Sequence, residues 1–241
     1  YTTLFRSGGC WADLDNNGAQ DLVAINLAHP RVIELSDRSW VHMNYSRGSR
    51  TRFRSRRLIP YYETMSVPAA ADIDGDGDID LFITATYANR PSRLLRNMLA
   101  ETGELEFEDI SYAAGVLVTN GWGSVFADID GDADPDLIVS ANGKLQIFRN
   151  NSRRNFIRVR LSTSGTGYGA EITVDSEVGR RIYALTGAKG SGDQLPTEIC
   201  AGIGNSASAE NVEIKYGERV IVLGEVEAGK TVTVDFDLLA P

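Results

Sequence analysis

The chain has 241 residues, 42% of them hydrophobic, a formal net charge of −9 and 24 glycines. This length accommodates one large or two modest domains, and no apolar run approaches the ~18 residues of a membrane-spanning helix. Thirteen of the 33 acidic residues lie in three nine-residue segments that lack Lys and Arg, and the rest of the chain carries +4. The acidity therefore belongs to three local sites and does not describe the whole surface.

These segments are three copies of one motif. They read ADLDNNGAQDL at Ala12–Leu22, ADIDGDGDIDL at Ala71–Leu81 and ADIDGDADPDL at Ala127–Leu137. Copies 59 and then 56 residues apart are typical of propellers and other repeat folds. Short apolar runs follow each copy, and these predict strands at Leu22–Asn26, Leu81–Tyr87 and Leu137–Ser140. Further strands are predicted at Arg31–Leu35, Arg93–Arg96, Leu105–Ile110 and Leu145–Arg149, with a turn near Asp109–Ala114. The sequence thus predicts an all-β fold with three propeller-type blades over residues 1–152.

The remaining residues, 153–241, have a different pattern. Short alternating strands are separated by Gly and Ser turns, and they read NFIRVRLS, GAEITVDS, RRIYALTG, ENVEIKYG, RVIVLGEV and KTVTVDFD. Such spacing indicates a second, all-β domain with a sandwich-like or barrel-like architecture.

Each acidic segment places oxygen-bearing side chains at loop positions 1, 3, 5 and 9. Six to eight oxygen ligands are what Ca²⁺ prefers, and a local chain segment supplies them by alternating carboxylates through a tight turn. We expect the backbone carbonyl at position 7 to contribute as well. The predicted ligands are Asp13, Asp15, Asn17, Ala19 and Asp21 in loop 1, Asp72, Asp74, Asp76, Asp78 and Asp80 in loop 2, and Asp128, Asp130, Asp132, Asp134 and Asp136 in loop 3. About three Ca²⁺ ions per chain follow, with a structural role favoured.

The sixth position of each loop needs a sharp turn. Gly18 and Gly77 adopt a left-handed backbone at no steric cost, whereas Ala133 in loop 3 is expected to lose roughly 1 kcal/mol there. Loop 2 carries more negative charge than loop 1, so we expect loop 2 to bind calcium most tightly. The competing interpretation is that Asp, Asn and Gly simply form solvated turns, which explains one loop better than three in a fixed frame.

Other binding motifs are rejected on their context. An EF-hand ends in a Glu at position 12, where this chain has Ala24, Ile83 and Val139. The segment GEVEAGKT at Gly224–Thr231 resembles a phosphate-binding loop, but a strand-like run follows it where that loop requires a helix. With only His29 and His42 and no G-x-S-x-G motif, the chain offers no nucleophilic catalytic set. We therefore expect a protein that is not an enzyme.

Two features remain open at this stage. Six arginines lie between Arg47 and Arg57, and they form either a solvated, aggregation-resistant strip or a binding surface for anions. Cys10 and Cys200 either form a disulfide or remain thiols.

The loop motif resembles a known family. D-x-[DN]-x-[DN]-[GA]-x-x-D-L, entered through stretches such as GWGSVFADIDGDADPDL, is similar to the FG-GAP or VCBS-type repeat of integrin α-chain propellers and many secreted bacterial proteins. Residues 155–237 resemble the ASPIC/UnbV domain through TGYGAEITV, AGIGNSASAENVEIKYG and LGEVEAGKTVTV. The combination of this repeat with this C-terminal domain is similar to that of cartilage acidic protein and its bacterial relatives. The resemblance implies a secreted, calcium-binding propeller with roles in adhesion or matrix contact.

The expected function is an extracellular calcium-binding structural or adhesion protein, in which calcium stiffens the blades. Its partners would be other protein subunits, itself or glycans, with no nucleic acid and no membrane span. Because a closed propeller of this family needs around seven blades, three blades would leave sheet faces and edges open to association. The chain is then expected to oligomerise, to self-assemble into a polymer or to form part of a longer protein. The alternative function is a secreted protein that binds or cleaves polysaccharides.

Overall fold

The computed structural model describes residues 6–27, 38–59, 64–162, 167–186 and 197–235. The predicted all-β class is confirmed, with one four-residue helix, α1 (Leu99–Thr102), in the described part. The first eleven strands are β1 (Arg6–Ala12), β2 (Asp21–Asn26), β3 (Trp40–Asn44), β4 (Phe53–Arg56), β5 (Met65–Ala71), β6 (Asp80–Ala85), β7 (Arg93–Asn97), β8 (Phe107–Asp109), β9 (Gly121–Ala127), β10 (Asp136–Ala141) and β11 (Lys144–Phe148). The other seven are β12 (Phe156–Ser162), β13 (Glu171–Ser176), β14 (Gly179–Ala184), β15 (Glu198–Gly202), β16 (Ser208–Tyr216), β17 (Arg219–Glu227) and β18 (Thr231–Asp235).

The strands form five separate sheets in a propeller-like arrangement, so the predicted count of three blades is not confirmed. Sheets 1, 2 and 3 have the orders β1-β2-β3-β4, β5-β6-β7-β8 and β11-β10-β9, and all their pairs are antiparallel. Sheets 4 and 5 have the orders β15-β12-β18 and β14-β13-β16-β17. The β12–β18 pair is parallel, which distinguishes sheet 4 from a simple antiparallel meander. The boundary between residues 152 and 153 stays a prediction.

The acidic loops occupy equivalent places in sheets 1, 2 and 3. Each loop joins the first two strands of its sheet, and the alanine before the loop pairs with the aspartate at position 9. The register pairs are Ala12 with Asp21, Ala71 with Asp80, and Ala127 with Asp136. The three sequence repeats therefore correspond to three equivalent hairpins.

Sheet 2 is packed between sheets 1 and 3, and β6 is buried along its whole length. Successive strand residues point to opposite faces, which lets one strand serve two cores. Leu81 and Ile83 join a cluster with residues of sheet 1, while Phe82 joins a cluster with Leu137 and Val139 of sheet 3. A third cluster is built from the apolar residues of sheets 4 and 5.

Several details differ from the sequence-based expectations. The strand expected at Leu105–Ile110 shortens to three residues, and the predicted turn lies at 111–115. The strands that lead into the loops, β1, β5 and β9, and the strands β3, β4 and β15 were not predicted individually. The strand predicted at Arg31–Leu35 lies outside the described residues.

Cys10 and Cys200 are not joined by a disulfide. Burial raises the pKa of the Cys200 thiol, which disfavours its thiolate. Of the helices in the described ranges, none is long and apolar enough to cross a membrane.

Candidate metal centres

The loops gather their predicted carboxylates into three equivalent clusters. In each cluster the carboxylates of positions 1, 3 and 9 approach one another within 4.8 Å. The clusters are Asp13, Asp15 and Asp21; Asp72, Asp74 and Asp80; and Asp128, Asp130 and Asp136. These nine side chains were all predicted ligands. The structure brings them together from segments of only nine residues because each loop doubles back between two paired strands.

The fifth position behaves differently from loop to loop. Asp76 joins a further cluster with Asp74 and with Glu101, which follows sheet 2's third strand and was not predicted. In all three loops, however, the side-chain oxygen at position 5 accepts the backbone N–H of position 7, as Asn17 does from Ala19 at 2.8 Å. Asp132 belongs to none of the clusters found among the described residues, and its role as a ligand stays a prediction.

The aspartate at position 1 organises the backbone of its loop. Asp72 accepts N–H groups from Gly75 at 2.7 Å and from Gly77 at 2.9 Å, and Asp128 accepts from the same two positions of loop 3. In loop 1 the donors to Asp13 are instead the N–H groups of positions 5 and 6. The residues at position 6 are all left-handed, with φ of 85° at Gly18 and Gly77 and 75° at Ala133. The predicted turn is thus confirmed, including the unfavourable backbone at the alanine.

The aspartate at position 9 connects its loop to the third strand of the same sheet. One oxygen of Asp80 accepts the N–H of Ile73 at 2.9 Å, and the other accepts the N–H of Asn97 at 2.8 Å. Asn44 and Asn150 occupy the place of Asn97 beside Asp21 and Asp136. These asparagines were missed. A usable signal was the Arg-Asn dipeptide that ends β7 in the second repeat and directly follows β11 in the third.

Position 7 was predicted to contribute a backbone carbonyl. In loops 2 and 3 its side chains, Asp78 and Asp134, accept the backbone N–H groups of Ala100 and Ser152. Asp78 also accepts a hydrogen bond from the Asn16 amide of loop 1 at 2.6 Å. The carboxylates at this position therefore hold neighbouring segments, while the carbonyl ligands stay a prediction.

The pKa values of several loop carboxylates are raised above their usual value. Burial raises the pKa of Asp13 to about 6, that of Asp21 to about 7 and that of Asp72 to about 8, and neighbouring aspartates add to each rise. Burial and the charge of Asp72 hold the pKa of Asp80 well above its usual value. A bound cation would remove both penalties, because its charge favours the ionised carboxylates.

The donor set fits a hard cation such as Ca²⁺. All the clustered atoms are carboxylate oxygens, which suit Ca²⁺ or Mg²⁺ and not softer metals. One oxygen of Asp15, a member of the first cluster, and one of Asp134, at position 7 of loop 3, are buried without a hydrogen-bond partner, and a hard cation would satisfy such an atom. The clusters could therefore hold metal ions in three equivalent loops.

Arginines distinguish the second and third loops from the first. The Arg96 guanidinium lies 2.6 Å from Asp74 and 3.5 Å from Asp76, and Arg149 pairs with Asp130 and Asp132. The equivalent residue in sheet 1 is Met43, which is buried. Among the described residues, no ion pair involves the three clustered aspartates of loop 1.

Sheets 4 and 5 close over the loops. The Arg158 guanidinium of β12 lies 2.6 Å from Asp128, and the Arg181 Nε of β14 donates to the carbonyl of Gly77 at 2.6 Å. Gly202 of β15 approaches Asp72 so closely that an added Cβ would lie 2.1 Å from its carboxylate. These C-terminal residues were not predicted to touch the loops.

Comparison with known proteins identifies part of this arrangement. Residues 13–83, which include the first two loops, match the FG-GAP-like repeat family. Among curated proteins, none matches the chain. The resemblance of residues 155–237 to the ASPIC/UnbV domain stays a prediction, since the match ends before them.

Proposed function

From the FG-GAP-like repeat at residues 13–83, we propose that this chain is a calcium-binding structural module of an extracellular protein, serving adhesion or assembly. The observation that carries the proposal is the recurrence of one carboxylate cluster in three hairpins of identical register. FG-GAP repeats are typical of extracellular proteins, which supports secretion. The proposed partners are other protein subunits or a second copy of the chain.

Calcium would act by stabilising the folded loops. The residues proposed to hold each ion are the aspartates of positions 1, 3 and 9, supplemented by the residue at position 5 and the carbonyl at position 7. Bound calcium supplies the positive charge that these buried carboxylates require. Because the ion binds the folded loop and not the unfolded chain, it raises the free energy of unfolding by mass action. Extracellular modules commonly bind calcium with dissociation constants on the order of 10⁻⁴–10⁻³ M.

We further propose that the carboxylates serve structure and not catalysis. Their hydrogen bonds go mainly to backbone N–H groups of the same hairpin or its neighbours, which supports a role in holding sheets together. The residues after about 153 are proposed to form a separate sandwich-like domain, and the cluster of buried residues contributed by sheets 4 and 5 supports this. Sheets 1, 2 and 3 would then be the three blades of the repeat region.

Calorimetric titration of the metal-free protein with CaCl₂ tests the proposal. We expect about three ions per chain and a clear rise in melting temperature. The variants Asp15→Ala, Asp74→Ala and Asp130→Ala each remove the oxygen ligand at position 3 of one loop and should each lower the stoichiometry by one. Asp175→Ala is the matched control, because Asp175 is a carboxylate that pairs with Arg180 outside the loops. An absence of binding heat together with an unchanged melt in EDTA would refute the proposal.

A further inference from the structure

The outer edge of sheet 1 is a basic strand. β4 is the last strand in the order of its sheet, and all four of its residues are exposed. Arg54 and Arg56 alternate along it, and exposed Arg52 precedes it in the same alternation. Residues two apart in a strand lie about 6.8 Å apart on one face. The edge thus carries a regularly spaced row of positive charges.

The outer edge of sheet 2 is its acidic counterpart. β8 is the last strand of that sheet, and the segment that contains it reads Glu-Leu-Glu-Phe-Glu-Asp from Glu104. Glu104, Glu106 and Glu108 are exposed, whereas Leu105 is buried and Phe107 is half-buried. Glu108 lies in β8, and Glu104 and Glu106 lie in the segment that leads into it, so this edge presents three exposed carboxylates at every second residue.

These two rows do not neutralise each other within one chain. Arg56 and Arg54 lie opposite Val41 and Met43 of β3. Because directly opposed residues share a face and both partners belong to the core between sheets 1 and 2, the two arginines lie on the face of sheet 1 that is turned toward sheet 2. Leu105 belongs to that same core, so the alternating glutamates point to the opposite side of sheet 2. Among the described residues, no ion pair involves Arg52, Arg54, Arg56, Glu104, Glu106 or Glu108. Both rows are left for an external partner.

We propose that β4 of one copy pairs with β8 of a second copy, which joins chains edge to edge. An antiparallel alignment places Phe53 opposite Phe107 of β8 and, continued into the residues before β8, Arg54 opposite Glu106 and Arg56 opposite Glu104. Opposite charges and aromatic residues are both favourable cross-strand pairs. Phe53 is 43% exposed, so the pairing would also cover an apolar side chain. The exposed strand edges supply backbone hydrogen bonds, and the charges select the register.

The contact is heterologous, because the two edges belong to different sheets of the same molecule. Each chain can therefore engage two neighbours, which generates a ring if the rotation closes and an open filament if it does not. This inference rests on the proposed assembly role and names the second copy as the partner. It does not require calcium at the contact itself.

Charge exchange between the two edges tests the proposal by sedimentation velocity in low salt with CaCl₂. Wild-type protein should associate with increasing concentration and dissociate in high salt. Arg54→Glu/Arg56→Glu and Glu104→Lys/Glu106→Lys should each weaken self-association by about tenfold or more, since each replaces two attractive pairs by repulsive ones. An equal mixture of the two variants should associate again, because each supplies the edge that the other lacks. Glu210→Lys/Glu218→Lys is the control, with exposed glutamates in sheet 5 and between its strands.

Each alternative outcome overturns the pairing. A wild-type chain that stays monomeric, variants that associate like wild type, or a mixture that remains dissociated would all contradict it. If a reversed variant fails to fold, Arg54→Gln/Arg56→Gln removes the same attraction without adding repulsion. Melting temperatures of the same samples with and without calcium separate the two proposals. A monomeric protein that calcium still stabilises would refute the edge pairing and leave the metal sites intact.

Discussion

The side-chain amide of Asn97 donates to the backbone carbonyl of Leu14 at 3.0 Å, across 83 residues of sequence. Asn97 is fully buried, and its amide also donates to the carbonyl of Ile79 at 3.3 Å. The same relation recurs one sheet further along, where Asn150 donates to the carbonyl of Ile73 at 2.7 Å. Each asparagine, at the end of the third strand of its sheet or just after it, thus links that sheet to the acidic loop of the preceding sheet.

Replacement of this asparagine should loosen the contact between sheets 1 and 2. Asn97→Ala leaves two carbonyl groups without their donor, and we expect the free energy of unfolding to fall by about 2–4 kcal/mol. Asn44→Ala is the control, because the Asn44 side chain donates to the Gln20 carbonyl and accepts from the Ser46 N–H, and both partners lie in the region of its own sheet. Urea denaturation in saturating calcium measures both. Equal losses in the two variants would show that the link between sheets adds nothing.

Arg158 should stabilise the metal-free protein and weaken the binding of calcium to loop 3. Its guanidinium lies 2.6 Å from the fully buried carboxylate of Asp128, which is at position 1 of loop 3. Arg158→Met leaves that carboxylate uncompensated, so the metal-free protein should lose about 3 kcal/mol of unfolding free energy. Calcium affinity of the third loop should rise, because a neighbouring positive charge is removed. Denaturation in EDTA and calorimetric titration measure the two effects.

Lys230→Met is the control for this substitution. Lys230 precedes β18 and lies 3.8 Å from Glu227, and both side chains are largely exposed. An exposed pair contributes about 1 kcal/mol or less, so both stability and calcium affinity should stay near wild type. A fall in calcium affinity in Arg158→Met would instead indicate that the arginine positions Asp128 for the ion.

The stability of the metal-free protein should decrease as pH rises. The pKa values of Asp13, Asp21 and Asp72 are raised to about 6, 7 and 8, above the unfolded value of 3.8. The folded chain therefore binds more protons than the unfolded chain between about pH 4 and pH 8. Its stability is greatest at the acidic end of this window and is lost as the carboxylates ionise.

Melting temperatures at pH 5, 6, 7 and 8 check this dependence. In metal-free buffer they should fall steadily toward pH 8, whereas saturating calcium should abolish the fall, because the ion stabilises the ionised carboxylates. A metal-free melting temperature that rises over the same range would contradict the burial of these groups.

Position 202, where β15 approaches loop 2, should not accommodate any side chain. At Gly202 an added Cβ would lie 2.1 Å from the Asp72 carboxylate and 2.5 Å from the Cα of Gly75. Gly202→Ala should therefore lower the free energy of unfolding by several times RT, on the order of 2–3 kcal/mol, through forced displacement. Gly123→Ala is the control, since nothing lies within 4 Å of its Cβ position. Thermal melts should separate the two variants clearly.

Local patterns predicted the loops well. The alternation of carboxylates at positions 1, 3 and 9 determines the three clusters, since all the ligands come from one short hairpin. The left-handed turn at Gly77 and Ala133 follows from the same segment. The all-β class follows from short apolar runs between glycine-rich turns, which need no distant partner to be recognised.

The sequence by itself determined what nine consecutive residues can build: three acidic hairpins and the kind of ion that they suit. The tertiary structure alone decided what surrounds them, including Asn97 beside Leu14, Arg158 on Asp128 and the five-sheet arrangement. It also decided that the basic row at Arg54 and the acidic row at Glu106 lie on separate outer edges. The physical reason is distance along the chain. Contacts within a hairpin are encoded by local spacing and turn geometry, whereas those between sheets depend on how whole faces pack.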